Sequence, residues 1–151
     1  MEKHKTCSFF GHQKINIDER LKTKLKEIAE QLILDGFTTF CFGGFSNFDE
    51  LSRQTITELK QKYPHIKRIF YLYNPKQYKQ IKAEDVDCDE LIYPDLEFDW
   101  WYKRIYFRNV EMIKNSDFII FYVKNTQNSG AYKAYKYAIK KKKNFLNIAE
   151  E

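Results

Sequence analysis

The sequence predicts a three-layer α/β protein, in which an open parallel sheet of about five strands carries helices on both faces. Short apolar runs alternate with segments of helical spacing along the chain, and this alternation implies right-handed crossovers between parallel strands. Residues 117–123 contain a continuous apolar run, which is typical of a strand buried on both faces. A length of 151 residues suits a single domain over residues 1–151.

The composition excludes a disordered chain, because 43% of the residues are hydrophobic and 17% are aromatic. The net charge of +5 favours anionic partners, but only mildly. Much of that charge comes from the lysine run at residues 140–143, where positive charge suits the end of a helix. Nucleic-acid contact is the less favoured interpretation of this run.

The cysteines and the apolar segments limit the class of protein further. Cys7, Cys41 and Cys88 are widely spaced and match no zinc pattern, so neither a metal nor a cofactor is expected. Cys7 and Cys41 lie in apolar runs and are predicted to be buried thiols. No signal peptide is expected, because residues 1–6 are rich in charge, and no segment has the roughly 20 apolar residues that a membrane span requires. A cytoplasmic protein without a membrane partner is therefore expected.

The first predicted elements are a strand, a helix and a second strand. Residues 6–10 form a short apolar run that ends at a glycine, as a buried strand does before a turn. In residues 17–35 the apolar side chains recur on one helical face, and Gly36 follows as the expected end of that helix. Residues 38–42 are predicted to be the second strand.

The middle of the chain contains a helix, a strand and an ambiguous segment. Ser46 or Asn47 is the expected cap of the helix. Residues 68–73 are rich in aromatic and β-branched side chains and are predicted to be the third strand. Residues 75–95 show no clear period, but they have room for a short helix and for a short extended piece at residues 90–93.

The last third of the chain predicts a helix, a strand, a second helix and a final strand. Residues 98–115 have helical spacing, and residues 117–123 are the clearest strand. A polar loop at residues 124–130 leads to a helix at residues 131–142, where small side chains would allow close packing on the sheet. Residues 144–148 are predicted to be the last strand.

Loops that follow the strands are the candidate ligand-binding segments, because ligands of open parallel sheets bind outside the carboxyl ends of strands. These loops are residues 11–14, 43–48, 73–76 and 124–130. Gly43 and Gly44 directly follow the second strand. We expect them to turn the chain at positive φ and to bring backbone amides close to a phosphate. An ordinary glycine turn is the alternative.

Four groups of residues occur in order along the chain: Ser8-Phe9-Phe10-Gly11-His12, Gly43-Gly44 with Asp49, Arg108-Asn109-x-x-Met112 with Ser116-Asp117, and Asn128-Ser129-Gly130-Ala131. Together they resemble the SLOG superfamily, in particular its small bacterial and phage branch, over nearly the whole chain. That superfamily includes the cytokinin-activating LOG phosphoribohydrolases, the DNA-processing protein DprA and nucleotide-sensing domains of phage-defence systems.

The resemblance implies a Rossmann-like fold that holds a nucleotide or a nucleotide-derived ligand. By analogy with the family, Gly43 and Gly44 approach the ligand phosphate, and Arg108 lies beside the ligand. Ser129 and Gly130 match a second ligand-binding loop. Family members often pair through helices, so the resemblance also implies a homo-oligomer.

The predicted ligand-binding residues are Gly11, His12, Gly43, Gly44, Phe45, Asn47, Arg108, Asn109, Asn128, Ser129, Gly130 and Tyr132. His12 is expected to contact phosphate or to carry a proton, with a turn histidine as the alternative. The aromatic residues within 100–106 either stack on a base or belong to the core or to a dimer contact.

One departure from the family bears directly on catalysis. The hydrolases of the superfamily carry Pro-Gly-Gly-x-Gly-Thr-x-x-Glu in the second loop, and the glutamate is catalytic. This chain has no glutamate there, and Lys133, Tyr135 and Lys136 occupy the region. Cleavage of an N-glycosidic bond develops positive charge on the sugar, which a lysine would oppose. Binding, as sensing or sequestration of a nucleotide signal, is therefore predicted in preference to turnover.

Two other functions remain open as alternatives. A phosphoribohydrolase or a deoxyribosyltransferase-like N-glycosidase would need Asp49 or Glu50 as its acid, with Arg108 as the third catalytic candidate. Both acids begin a helix, where the helix dipole alone favours them. A DNA-associated protein like DprA would need a basic groove. Since the lysines are concentrated at one helix end, nucleic acid is not the expected partner.

Overall fold

A computed structural model describes residues 4–44, 46–73, 82–94, 100–124 and 129–149, except for the side chain of Trp101. The predicted site residues Phe45 and Asn128 lie outside these ranges. The elements are β1 (Lys5–Gly11), α1 (Glu19–Leu34), β2 (Phe37–Phe42), α2 (Asn47–Lys62), β3 (Lys67–Tyr71), a 3₁₀ helix (Ala83–Val86), β4 (Glu90–Ile92), α3 (Trp101–Lys114), β5 (Phe118–Tyr122), α4 (Gly130–Lys140) and β6 (Phe145–Asn147).

The described strands form one six-stranded sheet in the order β4-β3-β2-β1-β5-β6, and every neighbouring pair is parallel. The predicted α/β fold with a parallel sheet is confirmed. The sixth strand is β4, which coincides with the short extended piece expected at residues 90–93. In the sheet, β1 lies between β2 on one side and β5 on the other. The strand order therefore reverses at β1, and a cleft is expected at its carboxyl end.

The two faces of the sheet have separate apolar cores, because successive side chains of a strand point to opposite faces. Helices α1 and α2 cover one face, where the rings of Phe9 and Phe42 stack with centroids 5.2 Å apart. Helices α3 and α4 cover the other, where Phe10 and Phe121 stack at 5.7 Å. Burial on both sides explains why β5 is continuously apolar in sequence.

The helix ends follow ordinary capping chemistry. Asp18 caps α1 by accepting a hydrogen bond of 2.8 Å from the Leu21 amide. Gly36 follows α1 with φ of 101°, a left-handed conformation that glycine adopts at little cost. The cap of α2 is Ser46, whose Oγ accepts from the Asp49 amide at 3.0 Å. Asn47, the alternative, is the first residue of the helix.

The small side chains and the cysteines lie where the sequence predicts them. Ala134 and Ala138 of α4 are buried against the sheet, and Cys7 and Cys41 are buried free thiols. Within the described ranges, no helix has the length and apolar character needed to cross a bilayer. The same ranges contain no group of His, Cys, Asp or Glu side chains arranged to hold a metal ion.

Candidate ligand-binding cleft

A cleft of about 450 Å³ opens at the carboxyl ends of β1, β2 and β3. It is lined by Phe9, Phe10, Gly11, His12, Gln13, Gly43, Gly44, Ser46, Asp49, Tyr73, Ile105, Arg108, Asn109, Ser129, Gly130 and Ala131. The loops after β1, β2 and β3 and the start of α4 therefore meet there, and α3 contributes the wall that carries Arg108. All four candidate loops contribute described residues to the cleft, the fourth of them through Ser129 and Gly130.

Arg108 is the buried cation of the cleft, with only 6% of its surface exposed. Its Nη1 donates to the Gly43 carbonyl, while Nε and Nη2 donate to Asn109 Oδ1 at 3.2 and 2.9 Å. The guanidinium carbon lies 5.5 Å from the centroid of the Tyr73 ring. Among the described residues, no carboxylate lies within 4.0 Å of this guanidinium.

Burial governs the ionisation of Arg108. Loss of hydration lowers the pKa of its guanidinium to about 10, and the charge of Asp49 opposes that fall. At neutral pH the side chain is still a cation. A cation buried without a contacting anion is costly in a protein interior. A negatively charged group bound at this wall of the cleft would therefore lower that cost.

Asn109 adds a hydrogen-bond donor beside this cation. Because a guanidinium can only donate, the atom that accepts from Arg108 must be the amide oxygen of Asn109, and this determines the orientation of the amide. The Asn109 side chain is buried, and no acceptor in the described part of the chain bonds to its Nδ2. This amide nitrogen is therefore available to a ligand in the cleft.

Asp49 is a buried carboxyl group at the start of α2. Its Oδ2 accepts from Ser46 Oγ at 2.8 Å, and burial raises the pKa of the Asp49 carboxyl. The Ser46 hydrogen bond and the positive charges of Arg108 and Arg53 act on this pKa in the opposite direction. A Cβ at Gly44 would lie 2.6 Å from Oδ2, so only glycine leaves room for the carboxyl group.

The prediction that Gly43 and Gly44 adopt positive φ is wrong, since Gly36 is the only glycine with positive φ in the described ranges. Close packing explains instead why glycine occupies these two positions. A Cβ at Gly43 would lie 2.9 Å from the Met112 sulfur and 3.0 Å from Arg108 Cζ. The two carbonyls accept hydrogen bonds from arginines on different helices, Arg108 to Gly43 and Arg53 to Gly44, the latter at 2.6 Å.

His12 bridges the Lys124 backbone amide and the Ser129 hydroxyl rather than facing the cleft with a free nitrogen. Its Nε2 accepts from the Lys124 amide at 2.7 Å, so Nδ1 carries the proton of the neutral ring and donates to Ser129 Oγ at 2.8 Å. Ser129 Oγ also accepts from the Tyr132 amide at 3.1 Å as the cap of α4. The geometry favours a positioning role for His12 and leaves the Ser129 hydroxyl proton free to be donated.

Three predicted residues that the structure describes, Asn47, Glu50 and Tyr132, do not line the cleft. Asn47 accepts from the Ile15 amide at 2.9 Å and donates to the Ile15 carbonyl at 2.7 Å, so its side chain holds the loop after β1. Glu50 is exposed on α2. The Tyr132 ring lies 4.8 Å from the Lys136 ammonium, outside the cleft.

Two contacts at or beside the cleft are not predicted from the sequence. Tyr73 provides the aromatic face beside Arg108, and its only signal was its place in a candidate loop after the third strand. Arg53 holds the Gly44 carbonyl, and its signal was the spacing of four residues from Asp49 on α2. By contrast, Trp100 and Tyr102 are exposed, at 62% and 53%, and neither lines the cleft.

We expect His12 to make the stability of the protein depend on pH. Burial lowers the pKa of His12 below its ordinary value of 6.5. The hydrogen bond with the Lys124 backbone opposes this fall, and the Lys124 charge adds to it. The unfolded chain therefore binds this proton more readily than the folded one. The contribution of His12 to stability is complete above pH 6.5 and is lost as the pH falls through the folded pKa.

Urea unfolding of the wild type and of His12→Gln between pH 7.5 and pH 5 tests this expectation. The free energy of unfolding of the wild type should fall more steeply towards acid, because glutamine has no proton to gain. All other titrating groups are common to both proteins, so the difference between the two curves isolates His12. Parallel curves would show that the ring is not held in its neutral form.

Comparisons with known proteins show the fold. No protein-family model matches the chain, and no curated protein matches it in sequence. The structure is similar to DNA processing protein A from Helicobacter pylori, described for its single-stranded DNA binding mode, with a TM-score of 0.67 and 14% identity. It is also similar to the Moco carrier protein of Chlamydomonas rheinhardtii, with a TM-score of 0.59 and 14% identity.

These similarities extend over the described sheet and its helices. The match covers 97% of this chain and 66% of the Helicobacter protein, so the chain spans slightly less than two thirds of that protein's length. For the Moco carrier protein the figures are 99% and 79%. The chain is thus a Rossmann-like α/β protein with a polar cleft at the switch point of its sheet.

Proposed function

We propose that the cleft binds a nucleotide or a nucleotide-derived ligand, and that the chain is a SLOG-like domain that senses or sequesters such a ligand. The observation that carries this proposal is Arg108, a buried guanidinium that lines the cleft without a contacting carboxylate among the described residues. A ligand phosphate would supply the missing charge and accept charge-assisted hydrogen bonds.

The surroundings of Arg108 suit an anion with polar substituents. Asn109 Nδ2 and the Ser129 hydroxyl are further donors on the cleft wall. Both α2 and α4 begin at the cleft, so the positive ends of two helix dipoles point towards it. A volume of about 450 Å³ lies within the range of small-molecule sites.

Thermal unfolding in the presence of nucleotides tests the proposal. Nucleoside mono-, di- and triphosphates and cyclic nucleotides should each be added to the purified protein in millimolar excess. A ligand present at one hundred times its Kd stabilises the folded state by about 2.7 kcal/mol, which for a chain of this size raises Tm by roughly 5–10 °C. No shift with any of these compounds would contradict the proposal.

Asp49 favours an N-glycosidase as the second candidate. Of the two predicted acids, Asp49 lines the cleft and Glu50 does not. The carboxyl group of Asp49 is buried and its pKa is raised, as a general acid requires. The test is release of free base from nucleoside monophosphates. Sustained release that is lost in Asp49→Asn and kept in Glu50→Gln would establish turnover, because Glu50 is exposed outside the cleft.

The remaining predictions about partners stay proposals. The similarity to a protein described for single-stranded DNA binding gives no support to the prediction that nucleic acid is not a partner. A homo-oligomer and a role in phage defence or counter-defence rest on the family resemblance alone. The lysines that could contact nucleic acid line a groove between α3 and α4, outside the cleft.

A further inference from the structure

A second groove lies between α3 and α4 and shares no residue with the cleft. Its volume is about 580 Å³. It is lined by Tyr106, Phe107, Val110, Lys114, Lys133, Lys136, Tyr137, Lys140 and Lys141. Five of these nine residues are lysines and none is acidic, so the groove concentrates positive charge in a concave surface.

Among the described residues, no carboxylate neutralises the charge of the groove lysines at close range. In the described ranges, none of the five lies within 4.0 Å of a carboxylate. On α1 and α2, by contrast, Lys22 pairs with Glu19 at 3.3 Å and Lys62 with Glu30 at 3.2 Å. Helix α4 contains no acidic residue and α3 contains one, Glu111, which does not line the groove.

Aromatic rings alternate with these charges. Tyr106, Phe107 and Tyr137 are half-buried in the groove. Lys133, Tyr137 and Lys140 follow one face of α4, and the two lysines are separated by about 10 Å of helix rise. Lysines that reach phosphates and ring faces that accept unstacked bases are the two components of single-strand binding surfaces.

We propose that this groove binds single-stranded nucleic acid, with the lysines on the phosphates and the tyrosine rings against the bases. A duplex would leave the rings unused, because its bases are already stacked. A second copy of the chain is disfavoured, because a two-fold contact through this face would place lysines against lysines. The proposal does not depend on the nature of the ligand in the cleft.

Fluorescence anisotropy with labelled dT20 at low ionic strength tests the groove directly. The wild type should bind, with an affinity that falls steeply as salt is added, because contacted phosphates release counterions. The triple variant Lys136→Ala, Lys140→Ala, Lys141→Ala should bind at least tenfold more weakly. These side chains are exposed, and alanine favours the helix, so the variant should fold.

The matched control removes the same number of charges from α1, on the opposite face of the sheet. Lys22→Ala, Lys24→Ala, Lys26→Ala should change the affinity for dT20 by less than threefold. Equal losses in the two triple variants would overturn the proposal, since the attraction would then be to overall charge. A loss of dT20 binding in Arg108→Met would overturn it as well, because the strand would then occupy the cleft.

The aromatic contribution is tested at Tyr106, where a pair of variants separates stacking from bulk. Tyr106→Leu should weaken dT20 binding about fivefold or more, and Tyr106→Phe should retain it, because base stacking needs the ring and not the hydroxyl. Equal affinity of the two variants for dT20 would show that the bases do not stack on the Tyr106 ring. Vesicles containing phosphatidylserine test the remaining alternative partner, a lipid surface. Binding to these vesicles without binding to dT20 would overturn the proposal and assign the groove to lipid.

Discussion

Replacing Arg108 with methionine is expected to weaken nucleotide binding by about 100-fold or more, while the stability of the free protein changes by no more than about 2 kcal/mol. Binding falls because the phosphate loses its buried cationic partner. Stability changes little because two effects oppose each other. The variant relieves the cost of burying a charge, but it leaves the Gly43 carbonyl and Asn109 Oδ1 without their donor.

Isothermal titration and urea unfolding measure the two quantities on the same sample. Arg104→Met is the matched control, because Arg104 lies one turn earlier on α3, donates to the Tyr93 hydroxyl at 2.8 Å and does not line the cleft. It should bind the nucleotide within about twofold of the wild type. An unchanged affinity in Arg108→Met would contradict the proposed role of this side chain.

Gly11→Ala should lower the free energy of unfolding by roughly 1–3 kcal/mol, the usual cost of overpacking a core. The new Cβ would lie 2.4 Å from Phe48 Cδ2 and 2.5 Å from Cγ. Phe48 is completely buried, so its ring has no free space to enter. Gly11 is also paired with Tyr122 across the sheet, which restrains the backbone from moving away.

Gly130→Ala is the control for this substitution. A Cβ at Gly130 meets nothing within 4 Å, and alanine in the first turn of α4 stabilises the helix by roughly 0.5–1 kcal/mol relative to glycine. The double variant Gly11→Ala with Phe48→Leu should cost less than the sum of the two single changes, because the smaller side chain relieves the clash. If Gly11→Ala were as stable as Gly130→Ala, the close approach to Phe48 would be refuted.

The strands of the central sheet are predictable because burial on both faces leaves a local trace. Residues 118–122 are apolar at every position, and a run of this length suits a buried strand better than a buried helix. Strand β4 leaves no such trace. Its three residues begin with Glu90, all three are half-buried, and their pairing with β3 depends on how the preceding segment returns to the sheet.

The position of the cleft is also predictable, because the carboxyl ends of parallel strands converge on one edge. The roles of individual residues there are not. Arg108 bonds to a carbonyl 65 residues away, and that contact depends on how α3 rests against the sheet. His12 and Asn47 are polar residues in candidate loops, but their partners are backbone groups of Lys124 and Ile15. A sequence does not distinguish such a partner from a ligand.

The two outermost described strands, β4 and β6, have three residues each. A neighbouring molecule that added a strand to either edge would find very few unpaired backbone groups. Such short edges protect a parallel sheet from the strand-by-strand growth that leads to aggregates. Assembly of this protein by addition of strands to its sheet is therefore disfavoured at both edges.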